Sequence, residues 1–434
     1  MNFTNAILAV LALTSLALAL WQWFAARRFP LHRRVTGPAF SPGIALLRPL
    51  KGCDATTAES LRSWFKQNYS GRTQILFGVA GADDPVCKIV RELIAEHPGH
   101  NAQLVVCDRR SGANAKVAKL VQLEKLARHD LILVSDADVR VPPDFLANIV
   151  APLNEKGRAA LPRRQAEQQL GPTESMERTT ANRARGEVGL VCCFYRLANP
   201  TTLAMQWEAV ATNADFWSQV LQAGALKPLD FALGAVMLTR RKLLEDIGGF
   251  RALADFLADD YQLGHRIVKN GHRIALCPVV VECWDAPMNW SDVWKHQLRW
   301  ARTIRVCQPL PYFFSILSNA TFWPLLWLVL GLSKFSVATV QNTDYGFFQT
   351  TGIAIGLPCG LMIAIAILLI RIVLAQDLQR RFTPEKSLVS PFWLVPVKDL
   401  LQVAIWFGAF AGRTVEWRGR RMKLRRDGTL VGEK

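Results

Sequence analysis

Four nearly uninterrupted apolar runs, at 7–23, 312–332, 352–374 and 392–410, dictate the plan of this chain. Each is near the length of about 20 residues that a helix needs to cross a bilayer. Between the first and second runs the composition is that of a water-soluble protein. Half of the 434 residues are hydrophobic while 20% are charged, so it is the clustering that carries the reading. The expected organisation is a transmembrane anchor at 1–30, a soluble domain at 40–306, membrane helices at 307–412 and a basic tail at 413–434.

Charge then orients the plan. Arg27, Arg28, Arg33 and Arg34 follow the first apolar run, whereas a signal peptide carries its basic residues in front. An uncleaved anchor is therefore expected, with the downstream side in the cytosol by the positive-inside rule. Much of the net charge of +17 lies beside apolar runs, at 27–34, at Arg380 and Arg381, and in the tail. Such clusters point to anionic phospholipid at juxtamembrane segments. No nucleic-acid-binding motif accompanies them, so no nucleic acid partner is expected. The nine cysteines form no paired Cys-x-x-Cys units, which argues against a zinc site or a disulfide framework. The last apolar run is interrupted by Pro391, Pro396, Lys398 and Asp399. Ionisable residues are costly at mid-bilayer, so this run spans with Lys398 and Asp399 paired, re-enters, or lies in the interface.

Within the soluble stretch, apolar runs of strand length at 44–47, 74–80, 103–107 and 131–135 alternate with helical spacing at 55–67, 85–97 and 113–126. That alternation predicts an α/β domain with a parallel sheet covered on both faces, a Rossmann-like nucleotide-binding half. No G-x-G-x-x-G follows the first strand and no G-x-x-x-x-G-K-S/T occurs, which disfavours dinucleotide oxidoreductases and P-loop enzymes. The polar segment 156–187 reads as an inserted surface loop, with regular structure resuming at 188–194. Trp207, Phe216 and Trp217 are spaced for one side of a helix, either as core or as an interfacial surface.

The fourth strand runs straight into Asp136-Ala137-Asp138. Two hard oxygen ligands at the carboxyl edge of such a sheet can hold magnesium or manganese, which in turn clamps a diphosphate. A turn whose aspartates cap a following helix is the simpler explanation of the tripeptide alone. Three more clusters change the balance: Asp83-Asp84-Pro85 after the second strand, Asp259-Asp260-Tyr261 opening an amphipathic helix, and His296-Gln297-Leu298-Arg299-Trp300 before the membrane bundle. Each has a bland role as a helix cap or an interfacial anchor. Their order along the chain is more specific than any member.

That order, with Arg48-Pro49-Leu50-Lys51-Gly52, Gly112-x-Asn114-x-Lys116 and Gly248-Gly249-Phe250, resembles the membrane-bound inverting glycosyltransferases of the GT-A fold. It is most similar to the ceramide glucosyltransferase-like branch, which includes bacterial hopanoid-linked glycosyltransferases. His296 departs from the Gln or Arg of that branch's (Q/R)-x-x-R-W pattern, with Gln297 adjacent. The resemblance implies a UDP-sugar donor, with glucose favoured, and a membrane lipid acceptor, ceramide-like or hopanoid. It implies Asp136 and Asp138 on Mg2+ or Mn2+, Asp84 on the uracil, and Asp260 as general base. Arg299 would counter the charge on departing UDP and Trp300 would stack near sugar or acceptor. Lys51, Asn114, Lys116, His296 and Gln297 complete the expected nucleotide-sugar contacts. The segment 156–187 has no clear counterpart in the pattern and is expected to bear on acceptor choice.

Two other functions fit parts of the text. A processive polysaccharide synthase shares the same clusters, although a polymer channel usually needs more crossings than the three or four counted here. A non-catalytic lipid-binding scaffold has no reason to keep Asp136, Asp138, Asp260 and Arg299 together.

Overall fold

The computed structural model describes residues 3–36, 40–109, 111–154, 186–330, 351–385, 389–417 and 420–432. The insertion expected at 156–187 and the end of the apolar run at 312–332 lie largely or partly outside them. The chain divides into two compact units. One comprises 30–199, 223–287 and 416–434; the other comprises 1–29, 200–222 and 288–415.

The first unit is built on an eight-stranded sheet. Its strands are β1 (Ile44–Pro49), β2 (Thr73–Val79), β3 (Asn101–Val106), β4 (Leu131–Ser135), β5 (Val139–Arg140), β6 (Val188–Leu197), β7 (Val236–Arg240) and β8 (Arg273–Cys283). The order is β3-β2-β1-β4-β7-β6-β8-β5. From β3 to β4 all neighbours are parallel, as the strand–helix alternation predicts. Strand β7 then runs antiparallel to both β4 and β6, and β5 antiparallel to β8, so the sheet is mixed rather than all-parallel. Strands β1 and β4 are buried along their whole length, hence the largely apolar text that only Arg48 and Ser135 interrupt. The crossover helices Val86–Glu96 and Ala115–Leu126 fall where the spacing places them.

The tail does not end as a bare basic segment. Strands β9 (Thr414–Trp417), β10 (Arg420–Leu424) and β11 (Leu430–Gly432) form a small sheet in the order β11-β10-β9. Arg421, Lys423 and Arg425 are exposed while Met422 and Leu424 are buried, a period of two that the density of charge concealed.

In the second unit, Phe3–Arg28 and Gly360–Phe382 are long and apolar enough to cross a membrane. A third span counts if the bent pair Pro309–Ser318 and Phe322–Leu330 acts as one. Helix Leu394–Phe410 holds the interrupted run. Its Lys398 and Asp399 pair at 2.8 Å and join Arg371, which bonds Asp399 at 2.9 Å and Asp215 at 2.8 Å. Lys398 also reaches Asp215. Two cations and two carboxylates thus neutralise one another, which is how a buried apolar helix tolerates them. Trp207 and Trp217 are fully buried, and Trp217 stacks on Phe382 at 4.9 Å. These aromatics are core, not an interfacial surface.

Candidate active site

Strands β1, β2 and β4 finish at one edge of the sheet, and Gly52, Asp84 and Asp136 follow them. The loop 136–139 is gripped by its carbonyls. Arg48, fully buried in β1, donates Nη2 to the Ala137 carbonyl (2.9 Å). Trp64 Nε1 donates to the Val139 carbonyl at 3.1 Å, and the Arg48 guanidinium lies 5.1 Å over the Trp64 ring. Burial pulls Arg48 down to about 9 against the opposing pull of Asp138 and Asp136, which leaves it a cation at neutral pH. The Trp284 N–H holds the Asp138 carbonyl at 3.1 Å. An arginine inside the strand text Ile-Ala-Leu-Leu-Arg-Pro was the available signal for this grip.

Burial, together with Asp285 and Asp136 nearby, pushes the Asp138 carboxyl up to about 7. Carboxylates crowded in this way favour a cation, and their hard oxygens suit magnesium or manganese. Among the described residues no three His, Cys, Asp or Glu side chains converge on a metal position. Asp136 and Asp138 therefore fit an ion that takes its other ligands from a substrate diphosphate and water.

Lys116 connects this edge to the Asp259-Asp260 cluster. Its ammonium is 8% exposed and stands 2.8 Å from Asp136 Oδ1 and 3.1 Å from Asp259 Oδ2. Burial alone would lower the lysine, but Asp136 and Asp259 outweigh it and hold the pKa above the ordinary value. Asn114 caps the helix that carries Lys116, accepting the N–H of Lys116 (2.9 Å) and Val117 (3.2 Å) on Oδ1. Its Nδ2 donates to the Phe256 carbonyl at 2.8 Å. Asn114 is fully buried and spends its amide on these protein partners, so it positions Lys116.

With Asp259 engaged by Lys116, Asp260 is the more accessible of the two carboxylates. Burial and the adjacent Asp259 push it up to about 6, with Lys116 pulling the other way. A base of that strength is ionised at neutral pH yet more basic than an ordinary aspartate. Gly234 makes room for it: a Cβ there would stand 2.6 Å from Asp260 Oδ2. Gly234 is not conspicuous in the sequence, and Asp259 was named there without its partner Lys116, because both roles depend on contacts across the fold.

Asp84 accepts the Gly52 N–H (2.9 Å to Oδ1, 3.1 Å to Oδ2) and the Val86 N–H (3.1 Å). Part of its bonding capacity thus fixes the loops after β1 and β2. Lys51, next to Gly52 in sequence, is exposed.

The remaining expected residues belong to the second unit, on helix Trp290–Cys307. A capping box between Asn289 and Asp292 starts this helix. His296 Nδ1 lies 2.7 Å and Gln297 Nε2 2.8 Å from the same Oε1 of the fully buried Glu208. Gln297 is itself buried, and its bond to Glu208 anchors the helix. One turn apart, His296 and Trp300 bring their rings to 4.5 Å, and both Arg299 and Trp300 are half-buried. Glu208 gave no sign in the sequence, since its partners are 88 and 89 positions away.

A family model, glycosyl transferase family 21, matches residues 7–169 and 172–430. The chain belongs to glycosyl transferase family 21. The match is interrupted at residues 170–171, within the 156–187 segment. Ceramide glucosyltransferase 1 of Caenorhabditis elegans is 21% identical over 248 residues, which is 57% of this chain and 47% of that protein. Ceramide glucosyltransferase of Candida albicans is 34% identical over 123 residues, 26% of this chain and 23% of that protein. The matches thus span less than half the length of these relatives. The solved structure of mannosyltransferase PcManGT from Pyrobaculum calidifontis, in complex with GDP-Man and Mn2+, is similar with a TM-score of 0.48 and 18% identity. It covers 94% of this chain and 97% of that one.

Proposed function

We propose that this family 21 chain is an inverting glycosyltransferase that moves one sugar, glucose favoured, from a UDP-sugar to the hydroxyl of a membrane lipid, ceramide-like or hopanoid. The observation that carries the reading is the Asp136–Lys116–Asp259 bridge, which sets the strong carboxylate Asp260 beside the metal-suited loop. The names of the matched relatives support the sugar and the lipid class.

Asp260 takes the proton of the acceptor hydroxyl as its oxygen attacks the anomeric carbon. The bond from that carbon to the β-phosphate oxygen breaks with its electron pair on UDP, and a single displacement inverts the configuration. No second carboxylate is needed as a nucleophile. A divalent ion on Asp136 and Asp138 would neutralise the departing diphosphate. Asp84 would receive the uracil, Arg299 would offset charge on UDP, and Trp300 would stack against sugar or acceptor. The apolar helices would hold the unit in a membrane with the site at the cytosolic headgroup plane, where the lipid hydroxyl lies, and the basic flanks would meet anionic phospholipid.

Purified protein given UDP-glucose and candidate lipids, with products read by mass spectrometry, tests this. One hexose on a lipid, lost on chelation of divalent cations, is the expected result. A polymer would favour the processive alternative. Asp260→Asn should lower kcat by about 10²–10⁴-fold with UDP binding retained. Full turnover by that variant would remove Asp260 from the mechanism.

A further inference from the structure

The segment before the Asp259-Asp260 pair is held from two sides. On one side Asn114 N–H donates to the Ala254 carbonyl (2.8 Å), Asn114 Nδ2 to the Phe256 carbonyl (2.8 Å) and Ala113 N–H to Asp255 Oδ1 (2.9 Å). Gly112 permits this approach, since a Cβ there would meet the Ala254 oxygen at 2.5 Å. On the other side stands the tail hairpin. Leu430 N–H donates to the Asp255 carbonyl at 2.7 Å, Leu257 N–H points at the Gly428 carbonyl at 3.4 Å, and Phe256 bridges Thr429 antiparallel.

The hairpin is built to keep that turn in place. Strands β10 and β11 pair Met422 with Gly432, Lys423 with Val431 and Leu424 with Leu430. Arg425 N–H closes on the Thr429 carbonyl at 2.9 Å, and Asp427 Oδ1 accepts both the N–H (3.0 Å) and Oγ1–H (2.7 Å) of Thr429. Gly428, with φ +87°, supplies the left-handed residue the turn needs. Helix Asp259–Lys269 has no side-chain cap on Ala258, and within its first turn Asp260 Oδ1 accepts the Tyr261 N–H at 2.7 Å. Its first two residues are the carboxylates of the site.

We infer that the C-terminal hairpin is a positioning element for Asp259 and Asp260, bracing segment 254–257 against the loop that carries Asn114 and Lys116. It touches no reacting atom. Its backbone bonds fix the start of the helix, and the helix start fixes both carboxylates. The inference rests on Asp260 being the base, as proposed above.

Two substitutions at one position separate the backbone bond from packing. Leu430→Pro removes the N–H that reaches Asp255, whereas Leu430→Ala removes apolar contacts and keeps it. With kcat and KM measured for both, and hydrogen–deuterium exchange followed for peptides spanning 254–260, Leu430→Pro should lower kcat roughly 10- to 100-fold, the cost of misplacement by about 1 Å. Its KM for UDP-sugar should stay within about threefold and exchange across 254–260 should accelerate, with Leu430→Ala close to the parent in both readouts. Should Leu430→Pro not fold, Asp427→Ala, an exposed turn substitution, is read in the same two assays. The proposal is overturned if a folded hairpin variant keeps parental kcat and parental exchange, or if Leu430→Ala matches Leu430→Pro. Activity in Asp260→Asn would instead sink the assignment of the base, while the exchange result still decides whether the hairpin braces the segment.

Discussion

Gly234→Ala probes the position of Asp260, the proposed base, without touching its chemistry. A Cβ at residue 234 would stand 2.6 Å from Asp260 Oδ2, 3.2 Å from Cγ and 3.3 Å from Cβ, against the 3.4 Å at which ordinary contact begins. The carboxylate must recede by about 0.8 Å. All three close atoms belong to one short side chain, so it has little slack to give. Gly234 does not have positive φ, so alanine itself adds no backbone strain there. A misplacement of about 1 Å costs on the order of 10²-fold in rate, or about 2.7 kcal/mol of barrier. We therefore expect kcat to fall about 30- to 100-fold, with KM for the UDP-sugar within about threefold, because the proton acceptor does not bind the nucleotide. UDP release in lipid nanodiscs supplies the assay, and an unchanged melting temperature confirms that the fold is intact. Parental kcat in a folded Gly234→Ala protein would refute the reasoning.

Other outcomes follow from the same geometry. The rate should fall as pH drops through about 6, where Asp260 takes up its proton and can no longer accept one from the lipid; a kcat profile inflecting at the ordinary aspartate value near 4 would contradict this. Lys116→Met leaves Asp136 and Asp259 facing each other without their cation, so unfolding free energy should drop by about 3–5 kcal/mol, measurable by denaturant titration. Arg371→Met leaves Asp215 and Asp399 sharing Lys398 alone, and a similar loss should show as earlier thermal aggregation in detergent.

The parallel half of the sheet, the loop after β4 and the apolar helices were legible because each depends on local text. Period and burial write Leu131–Ser135 as a strand, and length and hydropathy write Phe3–Arg28 as a helix long and apolar enough to cross a membrane. The reversed direction of β7 was not legible, since strand polarity is set by which neighbour it meets and not by its own residues. The tail hairpin was hidden for a related reason: its alternation spans only a few residues and is swamped by arginine and lysine. The sequence also named the carboxylates, and only the resemblance singled out Asp260 among them. Nothing in Asp259-Asp260 says which one Lys116 engages, or that Asn114 and Gln297 spend their amides inside the protein. Residue type and spacing therefore determined which chemistry this chain carries, because those are local properties. Only the tertiary structure decided which groups are paired, buried or left to react, because pairing and burial depend on residues distant in the chain.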